Sequence, residues 1–306
     1  MNRAKHIMAG LLMLATVGTL GAASDRGGER PAAYMSMGFG GRQVAMGGAG
    51  TALSGGLAAG TWNPAALTGV RTFQCYTQYA FLSEDRTLAY LGLGNRLESS
   101  PLSYAIAWIY FSAGGDLEFR QAPSLEPVYT FSDSQMAFLI TTAYRLDERW
   151  SLGLNLKIMT HWLDQAFGWG FGEDLGFQFR VSRDTKFGFV VQDPMSALKF
   201  QNSDSGKTPP TVKMGMAHLF WDPQITFSAD LAFSNDRGMV PYGGVEWRPM
   251  SGFALRAGWG DDSFRGGFGI STRGTKLAEE FNYVMSQDAL DQGGFLHRLS
   301  LGLRFL

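Results

Sequence analysis

The chain has 306 residues, 45% hydrophobic, 13% aromatic and only 17% charged, with 40 glycines, one cysteine and a net charge of −1. A soluble domain usually carries about 25% charged residues, so this composition leans away from a surface that faces only water. No basic excess is present to grip nucleic acid, and the lone Cys75 excludes an intrachain disulfide or a cysteine-built metal cage.

Met1 to Ala23 reads as a secretory signal peptide. Arg3, Lys5 and His6 form a basic start, Ile7 to Leu20 is apolar, and Gly21-Ala22-Ala23 supplies the small residues of a cleavage site. The run is shorter than the ~20 residues of a membrane-spanning helix. No cysteine follows it, which argues against a lipoprotein. No later apolar stretch reaches the ~18 residues of a helical span.

Residues 24–69 are too short and too rich in small residues to build a core of their own. Gly47-Gly48, Gly50, Gly55-Gly56 and Gly60 permit close backbone approach. Asn63-Pro64 is a turn signal, with Pro64 placed to open a short helical turn through Ala65-Ala66-Leu67.

From residue 70 to 306 the pattern has period two, the mark of strands with two different faces. Leu152, Leu154, Leu156, Ile158 and Trp162 alternate with Ser151, Gly153, Asn155, Lys157 and His161. The spacing predicts strands at 70–81, 87–95, 102–112, 135–145, 150–161, 173–182, 186–192, 210–219, 224–233, 239–248, 252–260, 264–271, 276–285 and 297–305. That is an all-β chain of about fourteen strands, an even number as a single-chain bacterial barrel requires, or about twelve without the short 186–192 and 264–271 segments. Alternation alone serves a soluble sandwich equally well. Low charge, many aromatics and the exported start favour a transmembrane antiparallel barrel with its apolar face toward lipid and a polar lumen. Lys157, Arg180, Arg256 and Arg304 then face the lumen, because a charge at the lipid midplane costs about 2–4 kcal/mol. Trp108, Tyr110, Tyr144, Trp150, Trp162, Trp221, Trp247 and Trp259 cluster at strand ends as candidate girdle residues. Short turns such as 146–149 would face the periplasm, and long loops such as 112–134 and 193–209 the exterior. Glu279 falls on an apolar parity beside Leu277 and Phe281, which the pattern does not explain.

Two stretches carry a resemblance. The first is Gly41-Arg42, Met46-Gly47-Gly48-Ala49 and, after a spacer, Trp62-Asn63-Pro64-Ala65-Ala66-Leu67. The second is Phe281-Asn282-Tyr283-Val284 with the closing run Leu296 to Phe305. Both resemble outer-membrane barrels of the PorV/PorQ group within the FadL-like superfamily. The resemblance implies an N-terminal hatch inside the barrel, formed by 24–69, with Gly41, Met46, Gly47, Gly48, Trp62, Asn63, Pro64 and Ala65 as its motif. It implies an outer-membrane location and an assembly signal in the last strand at Leu301, Leu303 and Phe305, read by the barrel-assembly machinery. The family's final residue is usually aromatic, whereas here Leu306 follows Phe305.

No H-E-x-x-H, G-x-S-x-G or complete phosphate-loop motif is present, and His161, His218 and His297 lack acidic partners at metal spacing. The chain is therefore read as non-catalytic, without cofactor or metal. The resemblance implies either an accessory to protein secretion, handling cargo through the long loop with Phe119, Tyr129 and Phe131, or a FadL-like passive channel for fatty acids or other hydrophobic small molecules. A purely structural plugged barrel stands beside them.

Overall fold

The computed structural model describes residues 31–115, 117–119, 126, 128–201, 206–221, 224–288 and 294–306. The expected signal peptide and residues 24–30 lie outside them. The strands in chain order are β1 (Gln74–Phe81), β2 (Thr87–Arg96), β3 (Leu102–Ser112), β4 (Leu117–Phe119), β5 (Tyr129–Phe131) and β6 (Asp133–Arg145). They continue as β7 (Trp150–Leu163), β8 (Ala166–Arg180), β9 (Thr185–Gln192), β10 (Ala197–Phe200), β11 (Gly206–Lys207) and β12 (Thr211–Phe220). The last are β13 (Ile225–Ser234), β14 (Gly238–Met250), β15 (Phe253–Gly260), β16 (Ser263–Arg273), β17 (Leu277–Gln287) and β18 (Phe295–Phe305).

Fourteen of these form one antiparallel barrel: β1, β2, β3, β6, β7, β8, β9 and β12 to β18, each paired to the next. Closure is made by β18 on β1, with Gln74 opposite Arg304 and Phe81 opposite His297. They match the fourteen expected segments one for one, so the twelve-strand alternative falls. Two boundaries differ by more than two residues. β1 begins at Gln74 rather than 70, since Val70 still belongs to the preceding turn, its N–H bonded to Leu67 O at 2.9 Å. β8 begins at Ala166 rather than 173, because Gly168, Gly170 and Gly172 hold its inner face while Phe167, Trp169 and Phe171 extend the outer one. β4 and β5 pair only with each other, and β10 and β11 extend the sheet beyond β9 along β8.

The burial pattern assigns the faces. On β7, Leu152, Leu156, Ile158 and Trp162 are exposed outward, whereas Asn155, Lys157, Met159 and His161 are buried inward. Lys157 and Arg256 are buried in the lumen as expected, and Arg180 and Arg304 share their inward parity at the ends of β8 and β18. Exposed Tyr144, Trp150 and Trp247 stand at one end of the barrel and Trp162 and Trp259 at the other, as girdles do. Glu279 lies near the start of β17, at the barrel end, where Thr272 Oγ1 donates to it at 3.3 Å. Turns of two to five residues join the strands at the end where β1 starts and β18 stops, and the loops 113–132 and 193–210 lie at the other.

The lumen is not polar throughout, contrary to expectation. Toward the long-loop end, Leu88, Tyr90, Ile109, Phe111, Leu139 and Met159 make an apolar wall on β2, β3, β6 and β7. The chain itself covers that wall. A 3-10 turn, Ala33–Met37, stacks Tyr34 on Phe111 at 5.7 Å, and Phe39 packs on Tyr90 at 5.5 Å. Burial of these rings from water stabilises the seating of the segment.

Candidate functional site

Residues 31–70 lie inside the barrel as a hatch. The segment carries a one-and-a-half-turn helix, α1 (Gly41–Ala45), and two further 3-10 turns, Leu57–Thr61 and Pro64–Gly69. Such short helices supply few internal bonds, so the hatch depends on the wall. Gly40 N–H donates to Gln78 Oε1 and Gly41 N–H to Tyr76 Oη, both at 2.8 Å, on β1. Thr51 N–H donates to Asp230 Oδ2 on β13 at 2.8 Å. Ser228 on β13, Asn155 on β7, Arg145 on β6 and Arg298 on β18 donate to hatch carbonyls at 2.6–3.0 Å.

Each motif residue expected in the hatch is buried there. Gly41 opens α1 where a Cβ would stand 2.6 Å from Asn282 Cβ. Gly47 and Gly48 have φ of 73° and 90°, the left-handed region open to glycine. Met46 and Gly47 run along Gly244 and Gly258 of β14 and β15. Asn63 caps the Pro64–Gly69 turn, its Oδ1 accepting Ala65 N–H at 3.0 Å with Pro64 at the first helical position. Its Nδ2 donates to Thr51 O at 2.9 Å and to Phe177 O on β8 at 3.1 Å, tying the turn to the hatch and to the wall. Trp62 joins the two halves of the motif: its ring packs with Val44 and Ala45 and covers Gly50, and its Nε1–H donates to Phe39 O at 2.6 Å.

The other candidate residues stand apart. Phe119, Tyr129 and Phe131 share the β4–β5 hairpin, with Phe119 opposite Tyr129, outside the barrel sheet. Leu301, Leu303 and Phe305 lie on the outer face of β18, opposite Thr77, Cys75 and Gln74's neighbour Phe73 respectively along the closing seam.

The wall is broken at a position the sequence reading does not name. β9 leaves β8 at Gln192, opposite Asp174, and pairing resumes only with β10 at Ala197, opposite Phe171. Asp193-Pro194-Met195-Ser196 therefore faces just Gly172 and Glu173, a bulge of four residues against two. On its other side Pro209 and Pro210 have no N–H to give a ladder. The break is held from within by Lys157 Nζ, 2.6 Å from Asp174 Oδ1 and 2.8 Å from Asp193 Oδ1. Ser196 Oγ donates to the same Asp193 Oδ1 at 2.6 Å, and Asn155 Nδ2 to Asp174 Oδ2 at 2.9 Å. Glu173, on the outward parity, keeps a buried Oε1 with no hydrogen-bond partner among the described residues. The signal was in the sequence: an acid on an apolar parity beside Gly172, facing Asp193-Pro194.

Two cavities flank the hatch. On the long-loop side one of about 70 Å³ is lined by Phe39, Trp62, Leu139, Lys157 and Asp193, directly behind the break. On the short-turn side one of about 870 Å³ opens at the mouth. Between that mouth and the hatch lies an ion cluster: Glu246, fully buried, meets Arg42 of the hatch at 2.8 Å, Arg256 at 2.7 Å and Arg248 at 2.9 Å. Among the described residues no group of three or more His, Cys, Asp or Glu is placed to hold a metal ion.

No protein-family model matches the sequence, and no curated protein does either. Solved structures do match the fold. The toluene transporter TbuX of Ralstonia pickettii superposes with a TM-score of 0.59 at 15% identity, over 88% of this chain and 99% of that one. The toluene transporter TodX of Pseudomonas putida gives 0.64 at 11%, over 88% and 97%. A FadL homologue of Pseudomonas aeruginosa gives 0.57 at 11%, over 87% and 96%. The chain thus has the fold of the FadL-type outer-membrane barrels.

Proposed function

We propose that the protein is an outer-membrane barrel that passes small hydrophobic molecules from the long-loop side sideways through its wall. The observation that carries this reading is the break at 193–196. It stands at the edge of the apolar half-lumen, whose cluster includes Leu198 of β10 immediately after the break. A straight path through the hatch would instead take a hydrophobic molecule into the charged cavity below, at a desolvation cost to every ion there. The likeness in fold to two toluene transporters supports the same choice.

Passage needs movement. A cavity of ~150 Å³ holds benzene, whereas the one behind the break is about 70 Å³. The 3-10 turn at 33–37 and the Lys157 lock are the groups that must yield. The direct test is expression in a Gram-negative host lacking its own hydrophobic-compound channel. Initial uptake of a labelled monoaromatic hydrocarbon and of a long-chain fatty acid should exceed that of the empty host. Equal rates, with folded barrel present in the outer membrane, would overturn the proposal.

A second reading, the PorV/PorQ-type secretion accessory, draws on the β4–β5 hairpin. It stands off the barrel sheet, with Val128 and Tyr129 exposed. Under that reading its partners are cargo or secretion components, and deletion of 117–131 abolishes cargo retention while leaving the barrel folded. Retention unchanged by the deletion would remove it. Both readings place the barrel in outer-membrane lipid, delivered there by the assembly machinery.

A further inference from the structure

The cavity at the short-turn end has a charge that neither reading uses. Seven arginine and lysine side chains line it against three carboxylates, although the whole chain is net −1. A fourth carboxylate, Glu246, lies beneath the lining and is shared by Arg42, Arg248 and Arg256. Arg248 spends one amine on Glu246 and makes no other side-chain bond among the described residues.

Lys186 is the sharper case. It projects from β9 beneath the hatch, where its Nζ donates to Ser54 Oγ at 3.1 Å. It forms no ion pair among the described residues; Arg180, Arg42 and Arg145 repel its charge, and Asp184 lines the same cavity. Arg42 Nη1 donates to Ser54 O at 3.1 Å, so both cations converge on one hatch residue. Ser54 leads into Gly55 and Gly56, with φ of 119° and 74°. A Cβ on Gly56 would touch nothing, so this loop borders open space and not a packing partner. Cations in excess of the carboxylates around a concave, low-dielectric mouth repel one another and focus a positive potential. A bound anion relieves that repulsion.

We infer that this vestibule is a binding site for a small oxyanion, a carboxylate- or phosphate-bearing molecule, held by Lys186, Arg248 and Arg42 at the Ser54–Gly56 loop. The volume of about 870 Å³ falls in the ~300–1,000 Å³ range of small-ligand pockets. A concave cavity of this volume suits a soluble molecule better than a flat acidic protein surface. In the outer-membrane orientation it opens to the periplasm, on the other side of the hatch from the hydrophobic route, and it stands or falls separately from that route.

The test uses the full barrel, refolded in a neutral detergent, with calorimetric titration of inorganic phosphate and of citrate at physiological ionic strength. Saturable one-to-one binding of either anion is expected, and which of the two binds names the group. Lys186→Gln and Arg248→Gln should each weaken it about tenfold or more, the loss of one charge-assisted contact. Heat-modifiable migration on gels verifies that both variants are folded barrels. No saturable binding, or affinities within about twofold of the parent in both variants, overturns the site. Binding confined to a polyglutamate peptide and abolished by salt also overturns it, in favour of a diffuse protein-docking surface.

Discussion

Asn63→Ala isolates what seats the 57–70 turns of the hatch against the wall. The side chain is wholly buried and makes four bonds: the cap to Ala65 N–H, donations to Thr51 O and Phe177 O, and a longer one to Phe189 O at 3.4 Å. Losing an N-cap costs about 1 kcal/mol. Each stripped carbonyl adds about 0.5–1.5 kcal/mol, at the low end for Thr51 O because Gln178 Nε2 still donates to it at 3.0 Å. The sum is roughly 2–3 kcal/mol, all of it charged to local opening of 57–70 and none to the barrel ladder. Hydrogen exchange followed by mass spectrometry reads this directly. Amides of 57–70 should exchange about 30- to 150-fold faster in the variant, while peptides from β1 to β3 keep their rates. A change below about threefold in 57–70 would mean that the wall glycines, not Asn63, carry the seating. A matching acceleration across the strands would mean that hatch and barrel open as one unit.

Gly188→Val should leave the barrel intact, since Val suits a strand, yet unseat the hatch, because the new Cβ meets Thr51 O and Ala52 N. Steady conductance in planar bilayers, absent from the parent, is the readout. Lys157→Met leaves Asp174 and Asp193 facing each other without a cation, a cost of about 3–5 kcal/mol. Exchange of the 193–200 amides should rise at least ~100-fold, and an unchanged rate would show that the ion cluster is no lock. Glu173→Leu removes a buried oxygen that bonds to nothing among the described residues. It should stabilise the barrel by about 1 kcal/mol in urea titration in vesicles, against the usual sign of core substitutions. Phe305→Ala should lower the folded fraction recovered in the outer membrane while leaving the residual barrel as stable as the parent to within about 1 kcal/mol.

The strands were legible because the outward face of each is apolar and exposed while the inward face is buried. Leu152 to Ile158 on β7 and Leu299 to Phe305 on β18 state their outward parity without any tertiary knowledge. β3 does not: Ile106 and Trp108 point outward and Ile109 and Phe111 inward, so both parities are apolar and the alternation is silent. That silence hid the apolar half-lumen, which exists because Tyr34 and Phe39 of the hatch cover it. The Asn63-Pro64 cap was legible because it is local, complete within three residues. The Lys157 lock was not, because Asp174 and Asp193 reach it through strand register, and the expected start of β8 at 173 removed the residues that define the break.

The glycines show most clearly what register adds. In a strand pattern Gly153, Gly176, Gly188, Gly215, Gly244 and Gly258 say little, since a residue without a side chain takes its face only from the neighbours that alternate with it. Register turns them into pairs on neighbouring strands: Gly153 opposite Gly176, Gly188 opposite Gly215, Gly244 opposite Gly258. Hatch atoms stand against every pair, Pro64 and Asn63 at the first, Thr51 at the second, Met46 and Gly47 at the third. A Cβ at these places would push the hatch backbone away from the hydrogen-bonding groups beside it, from Gln178 next to Gly188 to Asp230 opposite Gly215. The seat of the hatch is therefore written in the barrel strands as paired absences of side chains. It becomes readable only after the alternating residues have fixed which strand lies beside which.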